Sequence, residues 1–504
     1  MRRRSFALFA IPASVNTSAI TSVIAGVNTS VVAGVIAVAF AALPCRLFAA
    51  PAKSGEIAAV IRKAFAAASP GTIIEVPDGV YDSPGSIKIA TKGATAKGTA
   101  RGPITLRAAT PGGVTFTGDA QFVIESDHVV ISGFRFTNGK PARNGGVFEI
   151  KGNHNRVTDC AIIDYNLGQA ANGPGSTFWV ALRGQHNRVD HCLFKGKTSQ
   201  GVLLFVQRPT DAPDYARIDH NVFRDIPEGG GNGYETIRIG TSEKSQSDSL
   251  STVSENFFEN CDGEIEIISV KSGKNTIRDN TFINCRGSLT LRHGSNSIVT
   301  GNIFLITGGD ITGGDQARAA TTKVTARKTE CCGIRINDLG HLVENNYISG
   351  IRTKGNAHRG GIVLMSSEGV GKLEVFKHWR VKDITIRRNT IIDCQHSFVY
   401  GGGNYGTPPL SATFEKNLVA RPVGDVVRAI TPLLHPAYNN ELYIGAPPGI
   451  DPVPAGIDTT TDPRLISKNI NGHILHFPAA LDAGASAAGL KPLLETDAGT
   501  SYKN

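Results

Sequence analysis

The chain has 504 residues, 40% hydrophobic and 19% charged, with 57 glycines, 25 prolines and a formal net charge of +9. That is material for one large or two ordinary domains with a substantial core, and the high glycine share with few aromatics favours turn-rich β structure over a helical bundle. The eight cysteines lack the paired CxxC spacing of zinc sites.

Taken from the N-terminus, Arg2, Arg3 and Arg4 form a basic start, Val31 to Leu43 is an apolar run, and LFAAPA follows as a small-residue stretch. The run is shorter than the roughly 20 residues a spanning helix needs, so residues 1–49 are predicted to be a cleaved export leader of a periplasmic or secreted protein. Removing it leaves 48 basic against 43 acidic residues, a net +5 compatible with a polyanionic partner. Next, SGEIAAVIRKAFAAA (54–68) has the apolar spacing of a short capping helix, and GTIIEVPDGVY reads as a first β coil.

From there one phrase recurs: an apolar β-former, two polar residues, Asn or Cys, any residue, then an apolar residue. It stands as VTDCAI at 157, VDHCLF at 189, IDHNVF at 218, VSENFF at 253 and IRDNTF at 277. VTGNIF at 299, VENNYI at 343, IRRNTI at 386 and FEKNLV at 414 continue it. A period in the low twenties, rich in Val, Ile, Thr, Phe and Asn, is the mark of a β solenoid whose units bury their apolar faces only by stacking. The Asn column predicts a turn ladder bonded through side-chain amides. Cys261, Cys285 and Cys394 each lie five residues after a column Asn and read as small buried hydrophobes, and the odd count left after the leader argues against a full disulfide framework. The predicted fold is all-β, a single-stranded right-handed parallel β-helix over residues 50–440 with a helical N-terminal cap. Insertions are expected at 229–249, 308–330 and 366–380, with a C-terminal tail, 441–504, packed along the solenoid.

Chemistry concentrates in EIEIISVKSGKNTIRDNTFINCRGSLTLRHG (264–294). Alternation predicts Ile265 and Ile267 inward, which sets Glu264 and Glu266 together on one outer face, where like charges repel unless a cation lies between them. On the next coil Leu289 and Leu291 point inward, and Ser288, Thr290 and Arg292 outward. Counted from the repeat Asn, Lys271 stands at +15 and Arg292 at +12, an offset that leaves lateral room for a sugar ring. One coil earlier, NGYETIRIG (232–240) sets Asn232, Tyr234, Thr236 and Arg238 outward by the same parity. Two carboxylates and an amide oxygen are hard ligands suited to Ca²⁺. Parity favours Asn232 as the third ligand, with Glu235 the alternative. Arg335 in GIRIND and Arg359 in HRGGI are candidate subsite arginines for neighbouring carboxylates. A salt-bridged, solvated face built from the same residues is the competing interpretation.

ExExxxxK followed by RHG within a β-helix repeat, together with NGYETIRIGTS, GNHNRVTDC and GIRINDLGHLVENNYISG, resembles polysaccharide lyase family six, the alginate lyase and chondroitinase B group, over roughly residues 55–440. The resemblance implies β-elimination on a polyuronate, giving a 4,5-unsaturated sugar. It implies a Ca²⁺ held by Asn232, Glu264 and Glu266, Lys271 as base, and Arg292 beside the leaving oxygen with His293 alongside. It also implies an anionic polysaccharide as partner, alginate before a sulfated glycosaminoglycan such as dermatan sulfate, and no nucleic acid. A non-catalytic carbohydrate-binding β-helix is the reading from a different class.

Overall fold

The computed structural model describes residues 46–48, 53–90, 98–141, 145–166, 177–307, 330–369 and 374–503. The expected leader lies outside these residues except for Arg46–Phe48, a strand paired in parallel with Ile73–Glu75. Among the described residues no helix is long and apolar enough to cross a membrane.

Short β-formers separated by polar turns cannot pair locally as hairpins when each turn bends the chain the same way. Each strand here pairs instead with its equivalent one coil away. The result is three parallel sheets, of 14, 12 and 14 strands among the described residues, each taking one strand from successive coils. The architecture is a parallel β-helix. The helix Ile57–Ala67 closes its N-terminal end, burying Ile57, Ala58, Ile61 and Phe65 on one face at helical spacing.

The repeat phrase maps onto one turn. Asn221, Asn256, Asn280, Asn302, Asn346, Asn389 and Asn417 are fully buried. From Asn256 to Asn417 each side-chain oxygen accepts the backbone N–H of the Asn one coil before, at 2.9–3.1 Å, and Asn221 Oδ1 accepts from the Cys192 N–H at 3.0 Å. Each amide nitrogen also donates to a carbonyl on the preceding coil, as Asn302 does to Ile277 at 2.9 Å. The residue before each Asn is left-handed, for instance Glu255 at φ 56° and Asn345 at φ 52°. That strain is held by bonds no apolar side chain could make. The column ends at Glu441, whose carboxylate takes over the acceptor role for Asn417 at 2.9 Å. Behind the column, Phe194, Phe223, Phe258, Phe282 and Phe304 stack with centroids 4.5–5.1 Å apart, the coil spacing itself. The seven described cysteines are buried and unbridged.

The segment 229–249, expected as an insertion, contains a strand of the 12-stranded sheet, Ile237–Ile239. Residues 308–329 lie outside the described ones. Glu374–Trp379 is anchored through the Trp379 backbone N–H, which donates to Asp338 Oδ1 at 3.1 Å. Past the last coils the chain forms an antiparallel hairpin, Leu465–Ile470 with His473–Pro478. It then runs back along the third sheet. Asp482 meets Arg388 and Lys416 at 2.5 and 2.6 Å, the Leu493 N–H donates to Thr281 at 2.9 Å, and the Tyr502 hydroxyl donates to the Phe134 carbonyl at 3.1 Å.

Candidate active site

Four strands of the 12-stranded sheet carry the candidate residues on successive coils: Ile237–Ile239, Glu266–Lys271, Ser288–His293 and Ile334–Ile336. Ile237, Ile268, Leu289 and Ile334 align across them and fill the core, so Arg238, Ser269, Thr290 and Arg335 align on the outer face.

The middle pair breaks the rule twice. Glu266 pairs with Ser288 but Ile268 with Leu289, which makes Ile267 an extra residue. Val270 pairs with Leu291 but Lys271 with His293, which makes Arg292 extra on the other strand. Such bulges re-aim side chains at the ends of a ladder. They correct the alternation expected from sequence. Ile267 and Ile268 are both buried, whereas Ile265, expected inward, is 37% exposed. They also correct the expected offset of three positions, since His293 lies opposite Lys271 with Arg292 next to it. Gly294 follows at φ 90°, where an added Cβ would lie 2.3 Å from the Ser272 carbonyl oxygen, so the RHG turn requires glycine.

The carboxylates of Glu264 and Glu266 are joined by Glu235, with one oxygen from each lying within 4.8 Å of the others. Glu235 is the alternative third ligand that parity ranks behind Asn232. Asn232 sits exposed on the loop rim, its backbone carbonyl accepting from Gln200 Nε2 at 3.3 Å. Backbone N–H groups of Gly233 and Tyr234 donate to Glu264 Oε2 at 2.8 and 3.4 Å. Burial, and then the charges of Glu235 and Glu266, push Glu264 up to about 8. Glu235 Oε2 is buried without a hydrogen-bond partner. Three crowded carboxylates with an unsatisfied buried oxygen fit a hard divalent cation.

Cationic side chains ring this cluster. Arg238 Nη1 and Lys271 Nζ lie 3.4 and 4.0 Å from Glu235 Oε1, and Arg292 Nε and Arg335 Nη1 lie 3.8 and 3.6 Å from Glu266 Oε1. All but the 3.4 Å approach exceed hydrogen-bonding distance, so these groups keep donors for another partner. Arg238 also lies over the Phe205 ring at 4.2 Å. His293 is buried, its ring 5.6 Å from that of His378. Burial, then Arg292, His378 and Lys271, push its pKa down to about 3, so the imidazole is neutral at neutral pH.

Two expected substrate contacts are not surface groups. Tyr234 is 5% exposed, packed so closely on Gly229 that a Cβ there would lie 2.3 Å from its ring. Arg359 is 6% exposed and pairs with Glu330 at 3.2 Å, and Arg286 reaches the same carboxylate at 3.1 Å. Sequence reasoning missed Lys197, 3% exposed, and Asp338, whose carboxylate receives the Gly294 N–H at 2.7 Å and ties the RHG turn to the Trp379 segment. The flanking glycines in GKTSQG were the available signal for the first, and the turn-forming Asn-Asp with a following Gly in INDLG for the second.

Against known proteins, a family model described as chondroitinase B matches residues 56–420. The polysaccharide lyase family six alginate lyase AlyGC is 28% identical with a TM-score of 0.76, over 91% of this chain and 59% of its own. The chain therefore spans less than two thirds of that relative's length. An alginate lyase of the same family solved with a trisaccharide is 26% identical with a TM-score of 0.74, over 91% and 95% of the two chains. A mannuronic-acid-specific family six lyase from human gut microbiota is 26% identical with a TM-score of 0.63, over 79% and 85%. No curated protein matches significantly. The stack of parallel coils is the fold this chain shares with those lyases. The chain belongs to the chondroitinase B family, polysaccharide lyase family six.

Proposed function

We propose that the protein is an exported alginate lyase that cleaves its polymer by cation-assisted β-elimination. The observation that carries this reading is the three-carboxylate cluster of Glu235, Glu264 and Glu266 bordered by Lys271 and Arg292 across one bulged strand pair. The alginate lyases named above support the substrate.

A proton next to a carboxylate is hard to remove because the carbanion adds a second negative charge. A divalent ion held by Glu235, Glu264 and Glu266 would supply charge neutralisation at the uronate carboxylate when bound. Lys271, once unprotonated, takes the C5 proton. The electron pair forms the C4–C5 double bond as the C4–O bond breaks, and charge passes to the leaving glycosidic oxygen. Arg292, with free donors on the same face, stabilises that charge, and water completes the protonation, because an arginine gives up its own proton reluctantly. Neutral His293 holds the end of the Lys271–Arg292 ladder. Arg238 and Arg335 face the outer surface on the flanking coils, placed to meet neighbouring carboxylates.

The matching family's description favours a second reading, cleavage of a sulfated glycosaminoglycan. Ultraviolet absorbance of unsaturated product on alginate, dermatan sulfate and polygalacturonate, with and without chelator, decides. A rise on alginate abolished by chelator is expected. A rise on dermatan sulfate alone would transfer the activity to the second reading, and no rise on any polymer would leave a binding solenoid.

A further inference from the structure

Lysine is almost never fully buried without partners. Lys197 is buried in the turn Gly196–Gly201, and its ammonium donates to the Ser199 carbonyl at 2.5 Å, the Gly201 carbonyl at 2.8 Å and Ser199 Oγ at 3.2 Å. Its three donors are thus spent inside its own turn. Burial pushes its pKa down to about 7, with the nearby Glu235 charge opposing that shift.

The turn it fixes lies one coil below the loop of Glu235. Gln200 Nε2 donates to the Asn232 carbonyl at 3.3 Å, the Gly201 N–H to the Gly233 carbonyl at 2.7 Å, and the Leu203 N–H to the Glu235 carbonyl at 3.0 Å. The Gly233 N–H in turn donates to Glu264 Oε2 at 2.8 Å. A single residue, Gly201, therefore separates the Lys197 ammonium from the backbone that caps one carboxylate of the cluster and carries another. Gly201, at φ 116°, lies so close to Thr177 that an added Cβ would be 2.3 Å from the Thr177 carbonyl oxygen, so this turn has no slack on its other side.

We propose that Lys197 is a positioning residue for the carboxylate cluster, holding the Gly196–Gly201 turn as the bed on which the 232–235 loop is laid. This rests on the reading of the cluster as a cation site. The competing role, plain charge compensation, predicts the opposite sign, because deleting a positive charge near a cation site should tighten cation binding. Calorimetric titration of the full chain with Ca²⁺ is compared for the unaltered protein, Lys197→Met and Ser199→Ala, alongside hydrogen exchange of residues 232–236. Expected for Lys197→Met are cation affinity weakened on the order of tenfold or more, the size of loss typical when a metal ligand's support is removed, and faster exchange at Gly233 and Tyr234 with the Glu266–Lys271 strand unchanged. Unchanged or tighter binding, or unchanged exchange, overturns the proposal. Ser199→Ala keeps the ammonium and removes one acceptor, so a smaller shift in the same direction is expected. If Lys197→Met does not fold, that variant decides alone. If the unaltered protein binds no Ca²⁺, the cation reading fails and the exchange result decides the positioning role.

Discussion

The asparagine turn and the 12-stranded sheet are built from the same coils, yet they treat the repeat in opposite ways. Along the turn, from Asn221 to Asn417, every coil makes the same bonds, and the flanking strand pairs stay in register without a bulge. In the 12-stranded sheet the pair Glu266–Lys271 and Ser288–His293 departs from register at both ends. Where the repeat is kept, side chains satisfy backbone. Where it is broken, side chains are re-aimed outward and left partly unsatisfied, as sites require.

If the bulged pair is chemistry and the turn is architecture, substitutions should sort cleanly. Lys271→Ala should lower kcat by about 10²–10⁴, the range for a positioned general base, with thermal stability and polymer binding kept. Retained turnover would move the base elsewhere. Chelator should abolish turnover and added Ca²⁺ restore it. Glu235→Gln should weaken Ca²⁺ binding more than Asn232→Ala, and the reverse order in a titration would return Asn232 to the ligand set. In the turn, Asn302→Ala strands the amide of Asn280 and the carbonyls of Ile277 and Thr300. With three stranded buried groups at roughly 1–3 kcal/mol each, it should cost about 3 kcal/mol or more in denaturant unfolding, with kcat per folded molecule unchanged.

The smallest effect concerns acid. His341 is fully buried, its Nδ1 accepting the Ser297 N–H at 3.1 Å, and burial pushes its pKa down to about 4. The unfolded chain takes up this proton near 6.5, the folded chain only near 4. Stability should therefore fall as pH drops from about 6.5 to 4 and level below that, by at most about 3 kcal/mol. His341→Gln should flatten that part of the profile, and an unchanged slope would assign the acid sensitivity to other groups.

The solenoid was legible because its determinant is local and repeated. Asn256, Asn280 and Asn302 stand 24 and 22 residues apart, and only stacking explains them. Glu264, Glu266, Lys271 and Arg292 were legible because charge is costly on an Ile-rich and Leu-rich strand. The errors share one cause. Parity assumes an unbroken strand, but the bulge at Ile267 depends on how the next coil pairs, which no window of sequence contains. The same blindness put Tyr234 on the outside. Arg359 failed differently, since its burial depends on Glu330 and on a coil pairing between strands 28 residues apart.

The backward run of the C-terminal segment alters how this molecule comes apart. A solenoid held only by neighbour contacts frays one coil at a time from either end. Here Asp482 is fastened to late coils, Leu493 to Thr281 in the middle, and Ser501 to Asp159 and Tyr502 to Phe134 near the beginning. Peeling the last coils should therefore drag on the first, and early and late coils are expected to share one unfolding transition instead of melting in sequence.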